Sequence, residues 1–155
     1  MARGRRQQPG DIVRIDIGDG KQCFALALTP PLYAFFEGIC AGGELLQDVR
    51  GRPILFKLWV MDRATRSGRW PIVGRAELAT VSDLDATVFF RQDKISGKIS
   101  AYESSTGTET PLTFEEADRL ECAAVWDPEH VEDRLRDYFS GAPNKWWASM
   151  RPETS

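Results

Sequence analysis

The run ILFKLWVMDRATRSGRWPIVG, residues 54–74, decides the fold. Its first eight residues alternate strictly. Ile54, Phe56, Leu58 and Val60 point one way, and Leu55, Lys57, Trp59 and Met61 the other. Period two marks a strand, and apolar side chains on both faces place that strand inside a sheet. A polar connector, Asp62 to Gly68, follows. Trp70, Ile72 and Val73 then resume an apolar run in which Pro71, lacking an N–H, predicts an edge strand or a bulge. Trp59 and Trp70 each bring a large apolar body and an N–H that needs an acceptor once buried, so the core is expected around them.

Upstream, DIVRIDI (residues 11–17) sets Val13, Ile15 and Ile17 inward and Arg14 and Asp16 outward, as in a half-buried strand. Gly18-Asp19-Gly20 is a tight-turn signal. Because it opens no helix, it is not read as a phosphate loop. The return strand QCFALAL carries Phe24, Leu26 and Leu28 on one face and only small residues, Cys23, Ala25 and Ala27, on the other. Pro30-Pro31 breaks it, and LYAFFEG supplies a third short run. Gly38 to Arg52 reads as a looser segment, with one helical turn expected over Glu44 to Val49.

Downstream, Ala76 to Ala86 reads as loop. Thr87 to Arg91 and Ile99 to Glu103 read as paired strands turned at Ser96-Gly97, and Ser104 to Thr110 as a flexible tip. The period then lengthens. Thr113-Phe114-Glu115-Glu116 fits a capping box and predicts a short helix ending near Leu120 or Glu121. Cys122 to Trp126 is an apolar, strand-like link. Asp127-Pro128 starts a second helix, with Val131, Leu135, Tyr138 and Phe139 forming its apolar face and Gly141 and Pro143 ending it. Trp146 and Trp147 are expected to pack back onto the domain.

The 155 residues suit one domain with a real core. Residues 1–8 read as a flexible basic tail, 9–141 as a single α+β domain and 142–155 as a C-terminal tail. A net charge of −3 lacks the basic excess of a nucleic-acid binder. Cys23, Cys40 and Cys122 lack metal-ligand spacing and read as reduced packing residues of a cytoplasmic protein. No apolar run is long enough to cross a membrane, and MARGRRQQPG has no apolar core of a signal peptide. The lone His130 cannot build a histidine-rich zinc site. Neither a serine elbow nor a metalloprotease or deaminase signature occurs, so no catalytic residue, metal or cofactor is assigned. Carboxylates on the last helix, Glu129, Glu132, Asp133 and Asp137, form either a solvated face with partners such as Glu132–Arg136 or an acidic surface for a basic protein.

Three segments carry a family resemblance: GDIVRIDIGDGKQCFALAL (10–28), FKLWVMDRATRSGRWPIVG (56–74) and FFRQDKISGKISAYE (89–103). In this order they resemble the Immunity protein 26 family of bacterial polymorphic toxin systems. The resemblance covers most of Gly10 to Glu103 and rests on fold signatures rather than on a catalytic motif. It implies an α+β protein that binds and blocks a toxin encoded beside it, and it carries over no catalytic residue.

The sequence therefore predicts an α+β fold: a twisted, mostly antiparallel sheet, or a partial β-barrel, with two C-terminal helices packed on it. The function expected is stoichiometric occlusion of a cognate bacterial toxin. Were that toxin a nuclease, acidic side chains would occupy its basic groove as phosphate mimics. Glu129, Glu132, Asp133 and Asp137, with Trp146 and Trp147, are the expected contact residues. Two competing readings remain. One is a nucleic-acid-binding β-barrel using Arg3, Arg5, Arg6 and the two terminal indoles. The other is a small hydrolase built on Cys122 or Cys40 with His130.

Overall fold

The computed structural model describes residues 4–41 and 51–154. Among them the strands form two sheets. The larger holds β1 (Asp11–Gly18), β2 (Lys21–Ala27), β3 (Leu32–Phe36), β4 (Cys40–Ala41), β5 (Ile54–Val60), β6 (Ile72–Arg75) and the short β11 (Val125–Trp126), in the order β11-β5-β3-β2-β1-β6 with β4 on β2. The smaller runs β10-β7-β8-β9, from β7 (Val88–Gln92), β8 (Ile99–Glu103), β9 (Glu109–Pro111) and β10 (Glu121–Cys122). Pairing is antiparallel except for β11 on β5 and β10 on β7. The fold is thus α+β and mostly antiparallel, but its strands divide between two sheets and close no barrel.

β5 lies between β3 and β11, as its two apolar faces require. Phe56, Leu58 and Val60 enter a first core, while Trp59 joins a second core on the opposite face. The alternation breaks at the start of the strand. A register shift between Phe35 and Phe36 opposite it sends Ile54 to the second core and Leu55 to the first. Pro71 leads into β6 at the sheet edge, where its missing N–H breaks no ladder. The β1–β2 hairpin turns through Gly18, Asp19 and Gly20, all at positive φ. Such a tight turn favours glycine at its flanks.

The first core is closed by α4 (Pro128–Ser140), whose Val131 and Leu135 pack on Val13, Ile15, Leu58 and Trp70. Asp127 and Pro128 start this helix, and Gly141 ends it at φ 75°. Tyr138 does not share the buried face: it is about half exposed, because it lies toward the flank of the apolar stripe. Trp70 is fully buried, edge-on to Tyr33 at 5.6 Å and to Phe35 at 6.0 Å. Between Met61 and Trp70 the connector forms a single turn, α1 (Arg63–Arg66).

The second core lies between the two sheets. Trp59 meets Phe89 at 4.5 Å and Tyr102 at 5.7 Å. The segment Ala76–Ala86, expected to be loop, contains α2 (Leu78–Leu84). Val81 and Leu84, three residues apart, bind it to this core, and Lys57 caps its C-terminal end on the Leu84 carbonyl at 2.8 Å. The expected capping box is present: Thr113 accepts from Glu116 N–H at 3.1 Å and Glu116 accepts from Thr113 N–H at 3.0 Å. The helix it starts, α3 (Phe114–Ala117), is one turn long and contacts β8, so the two C-terminal helices rest on different sheets. The helical turn expected over Glu44 to Val49 lies outside the described residues.

The N-terminal segment is tied to the domain by Asp11, whose side chain is fully buried. Arg5 approaches it with two nitrogens at 2.9 Å, Arg75 at 2.7 Å, and Gln8 N–H at 2.8 Å.

Candidate functional site

α4 carries the four carboxylates that the sequence singles out, and its geometry splits them into two pairs. Glu129 and Glu132 lean toward α1 and the Gly68-Arg69-Trp70 turn. Glu132 is buried and accepts Arg69 Nε at 2.7 Å, Arg69 Nη2 at 2.8 Å and Trp70 Nε1 at 2.9 Å. Glu129 is half exposed and takes both Nη groups of Arg63, with Arg69 Nε at 3.4 Å. Arg63 also reaches Asp127 at 3.1 Å. These hydrogen bonds from Arg63, reinforced by the field of Arg69, hold the Glu129 carboxyl below its usual range. The i,i+4 pair expected between Glu132 and Arg136 does not form. Glu132 is drawn inward by Trp70, and Arg136 instead binds Asp133 and the Ile17 carbonyl.

Asp133 and Asp137 lie under α5 (Lys145–Ser149), which folds back along α4. Trp146 Nε1 donates to Asp133 Oδ2 at 3.0 Å, and Asn144 donates to Asp137 Oδ2 at 2.9 Å while capping α5 through Trp147 N–H. The Trp146 N–H, followed by Arg136, lowers the Asp133 pKa. Trp146 packs on the first core and stacks on His130, with ring centroids 3.6 Å apart. Trp147 stays 37% exposed, with the Arg151 guanidinium 4.5 Å from its ring.

Beyond α5 the chain crosses to the smaller sheet. Arg151 donates to the Leu120 carbonyl at 2.8 Å and lies over Phe90 at 5.3 Å. Gln92 and the Glu153 backbone exchange two hydrogen bonds of 2.8 Å. A buttress that sequence reasoning missed is Arg134. Its guanidinium stacks on Phe56 at 3.9 Å and forks to Glu121 at 2.8 and 2.7 Å, joining α4 to both sheets. Glu121 lies 13 residues away and Phe56 far upstream, so no helical i,i+3 or i,i+4 spacing announces it.

Some of the side chains invoked by the competing readings have other employment. Arg5 is committed to Asp11, one face of Trp146 is covered by His130, and Arg3 lies outside the described residues. Burial pushes the Cys23 thiol up to about 12 and raises that of Cys122, away from the thiolate form a nucleophile needs. The Cys40 sulfur receives Arg52 Nη1 at 3.3 Å. Among the described residues, no group of three or more His, Cys, Asp or Glu is arranged to hold a metal ion, and no helix is long and apolar enough to cross a membrane.

Two sheets, braced to the C-terminal helices by paired charges and aromatic rings, define an α+β protein. The chain matches the Immunity protein 26 family over residues 8–100, well over half its length, and belongs to that family. Immunity protein families are generally non-catalytic, and membership implies a toxin as the partner. No curated protein and no solved structure matches the chain significantly.

Proposed function

We propose that this protein neutralises one cognate bacterial polymorphic toxin by forming a stoichiometric complex, without catalysis, in the cytoplasm of the producing cell. The match to an immunity family over residues 8–100 carries this reading. The proposed contact surface is the side of the molecule formed by α4, α5 and the segment that follows. There Trp147 supplies an exposed aromatic anchor, the kind of residue that dominates protein interfaces. Glu129 lies in a half-exposed network with Arg63 and Arg69, which suits it to exchange partners with a basic surface. Glu132, Asp133, Asp137 and Trp146 hold this surface in shape through the hydrogen bonds described above.

The test is a pulldown and growth assay with the polypeptide encoded immediately upstream. A one-to-one complex that restores growth is expected. Trp147→Ala and Glu129→Gln should weaken it by roughly tenfold or less each, the range of one interface side chain. A wild-type protein that neither binds nor protects defeats the proposal.

A further inference from the structure

Residues 4–8, Gly-Arg-Arg-Gln-Gln, lie against α1 and the turn behind it without forming helix or strand. The approach is close: a Cβ on Gly4 would stand 1.7 Å from the Thr65 carbonyl oxygen and 3.2 Å from the Gly68 nitrogen. The segment holds no apolar residue, so the hydrophobic effect does little to keep it in place. Its strongest hold is the Arg5 fork on Asp11, two bonds of 2.9 Å from a half-exposed guanidinium.

Against that hold stands Gln7. This side chain is 3% exposed, and neither its amide oxygen nor its amide nitrogen has a hydrogen-bond partner among the described residues. An amide buried without a partner costs about as much as a charged hydrogen bond gains, so the segment is held closed by a small surplus. Opening does not strand Asp11, which keeps Arg75 at 2.7 Å. A hinge is present as well. Asp11 N–H donates to the Gln8 carbonyl at 3.0 Å, and Gly10, at φ 95°, is sewn into the sheet by Ala27 and Ala76. Residues 4–7 can therefore swing away while β1 stays paired.

We infer that residues 4–7 are a releasable strap over α1 and the Gly68-Arg69-Trp70 turn. Thr65 and Gly68, on which the strap rests, share one short connector with Arg63 and Arg69, the two arginines on Glu129. Closed, the strap steadies that connector. Open, it returns Gln7 to water and loosens the arginines. A toxin seated on the Glu129 surface binds the closed form better and draws the equilibrium toward it. This link rests on the toxin-neutralising reading; the strap itself does not.

Trypsin reads the strap on the full chain, because cleavage between Arg6 and Gln7 needs the open form and tracks its population. Each rate is taken relative to a short peptide of the same variant spanning that bond. Gln7→Leu removes both orphan atoms at nearly constant volume and should slow cleavage roughly tenfold. Arg5→Ala unpins the strap and Gly4→Ala lifts it, so both should bring cleavage toward the peptide's rate. Exchange of the Gly68 amide, which donates to the Thr65 carbonyl at 3.1 Å, should rise in these two variants and fall in Gln7→Leu. Gly4→Ala should also bind the polypeptide encoded immediately upstream roughly tenfold more weakly than wild type, since its closed form is scarce. Cleavage and Gly68 exchange that are the same in wild type and all three variants overturn the strap. Variants that open and close as described, with equal toxin affinity for Gly4→Ala and wild type, overturn the link and leave neutralisation standing. A wild-type chain that forms no complex overturns neutralisation and the link with it, while the variants still decide the strap.

Discussion

Glu132→Ala should destabilise the fold, although neutralising this helix's carboxylates looks harmless from the sequence. The carboxylate accepts one bond from Trp70, whose indole has no access to water, and two from Arg69, which is 45% exposed. Removing it strands the Trp70 N–H at about 1–3 kcal/mol. Breaking a buried ion pair costs about 3–5 kcal/mol, but half-exposed Arg69 recovers water and the loss shrinks. The sum expected is roughly 2–4 kcal/mol, which for a chain of this length lowers Tm by roughly 4–16 °C. Glu132→Gln keeps an acceptor for Trp70 and should cost less than half as much. Urea unfolding at neutral pH measures both, and a double-mutant cycle with Trp70→Phe isolates the N–H bond. Glu132→Ala within about 0.5 kcal/mol of wild type, the range of an ordinary surface substitution, would refute the reasoning. So would equal losses for the two variants.

Three further outcomes follow from the packing. Arg134→Lys should lose about 1–3 kcal/mol in urea unfolding, since an ammonium can neither fork to Glu121 nor stack flat on Phe56. Gly4→Ala should lower Tm, because its Cβ would stand 1.7 Å from the Thr65 carbonyl oxygen and must push the N-terminal segment off α1. Between about pH 9 and about 12 the unfolded chain releases the Cys23 proton while the folded chain keeps it, so stability falls as pH rises. The slope from this group approaches about 1.4 kcal/mol per pH unit, and denaturant titrations of Cys23→Ala should show a shallower decline.

The long, regular elements were legible in the sequence. The hairpin through Gly18-Asp19-Gly20, the two-faced strand β5, the Thr113 capping box and the limits of α4 each carry a local signal several residues long. The second sheet was half hidden. β7 and β8 show as strands, but β9 and β10 span three and two residues, too few for a period to register. α2 was read as loop because its burial rests on Val81 and Leu84 in an otherwise polar stretch. For the candidate site, the residue types on α4 were visible and their partners were not. Arg69 and Trp70 lie more than sixty residues from Glu132, so only the fold could show that one carboxylate is a brace and another a surface group.

The order in which the layers leave the ribosome gives α4 a further weight. All strands of the larger sheet but β11 are made by Arg75, yet the helix that covers Val13, Ile15 and Leu58 ends only at Ser140. At typical synthesis rates of about 5–20 residues per second, that apolar face waits on the order of 3–13 s for its cover. During this interval the nascent chain is at its stickiest, and a cell that needs protection at once depends on bringing it through.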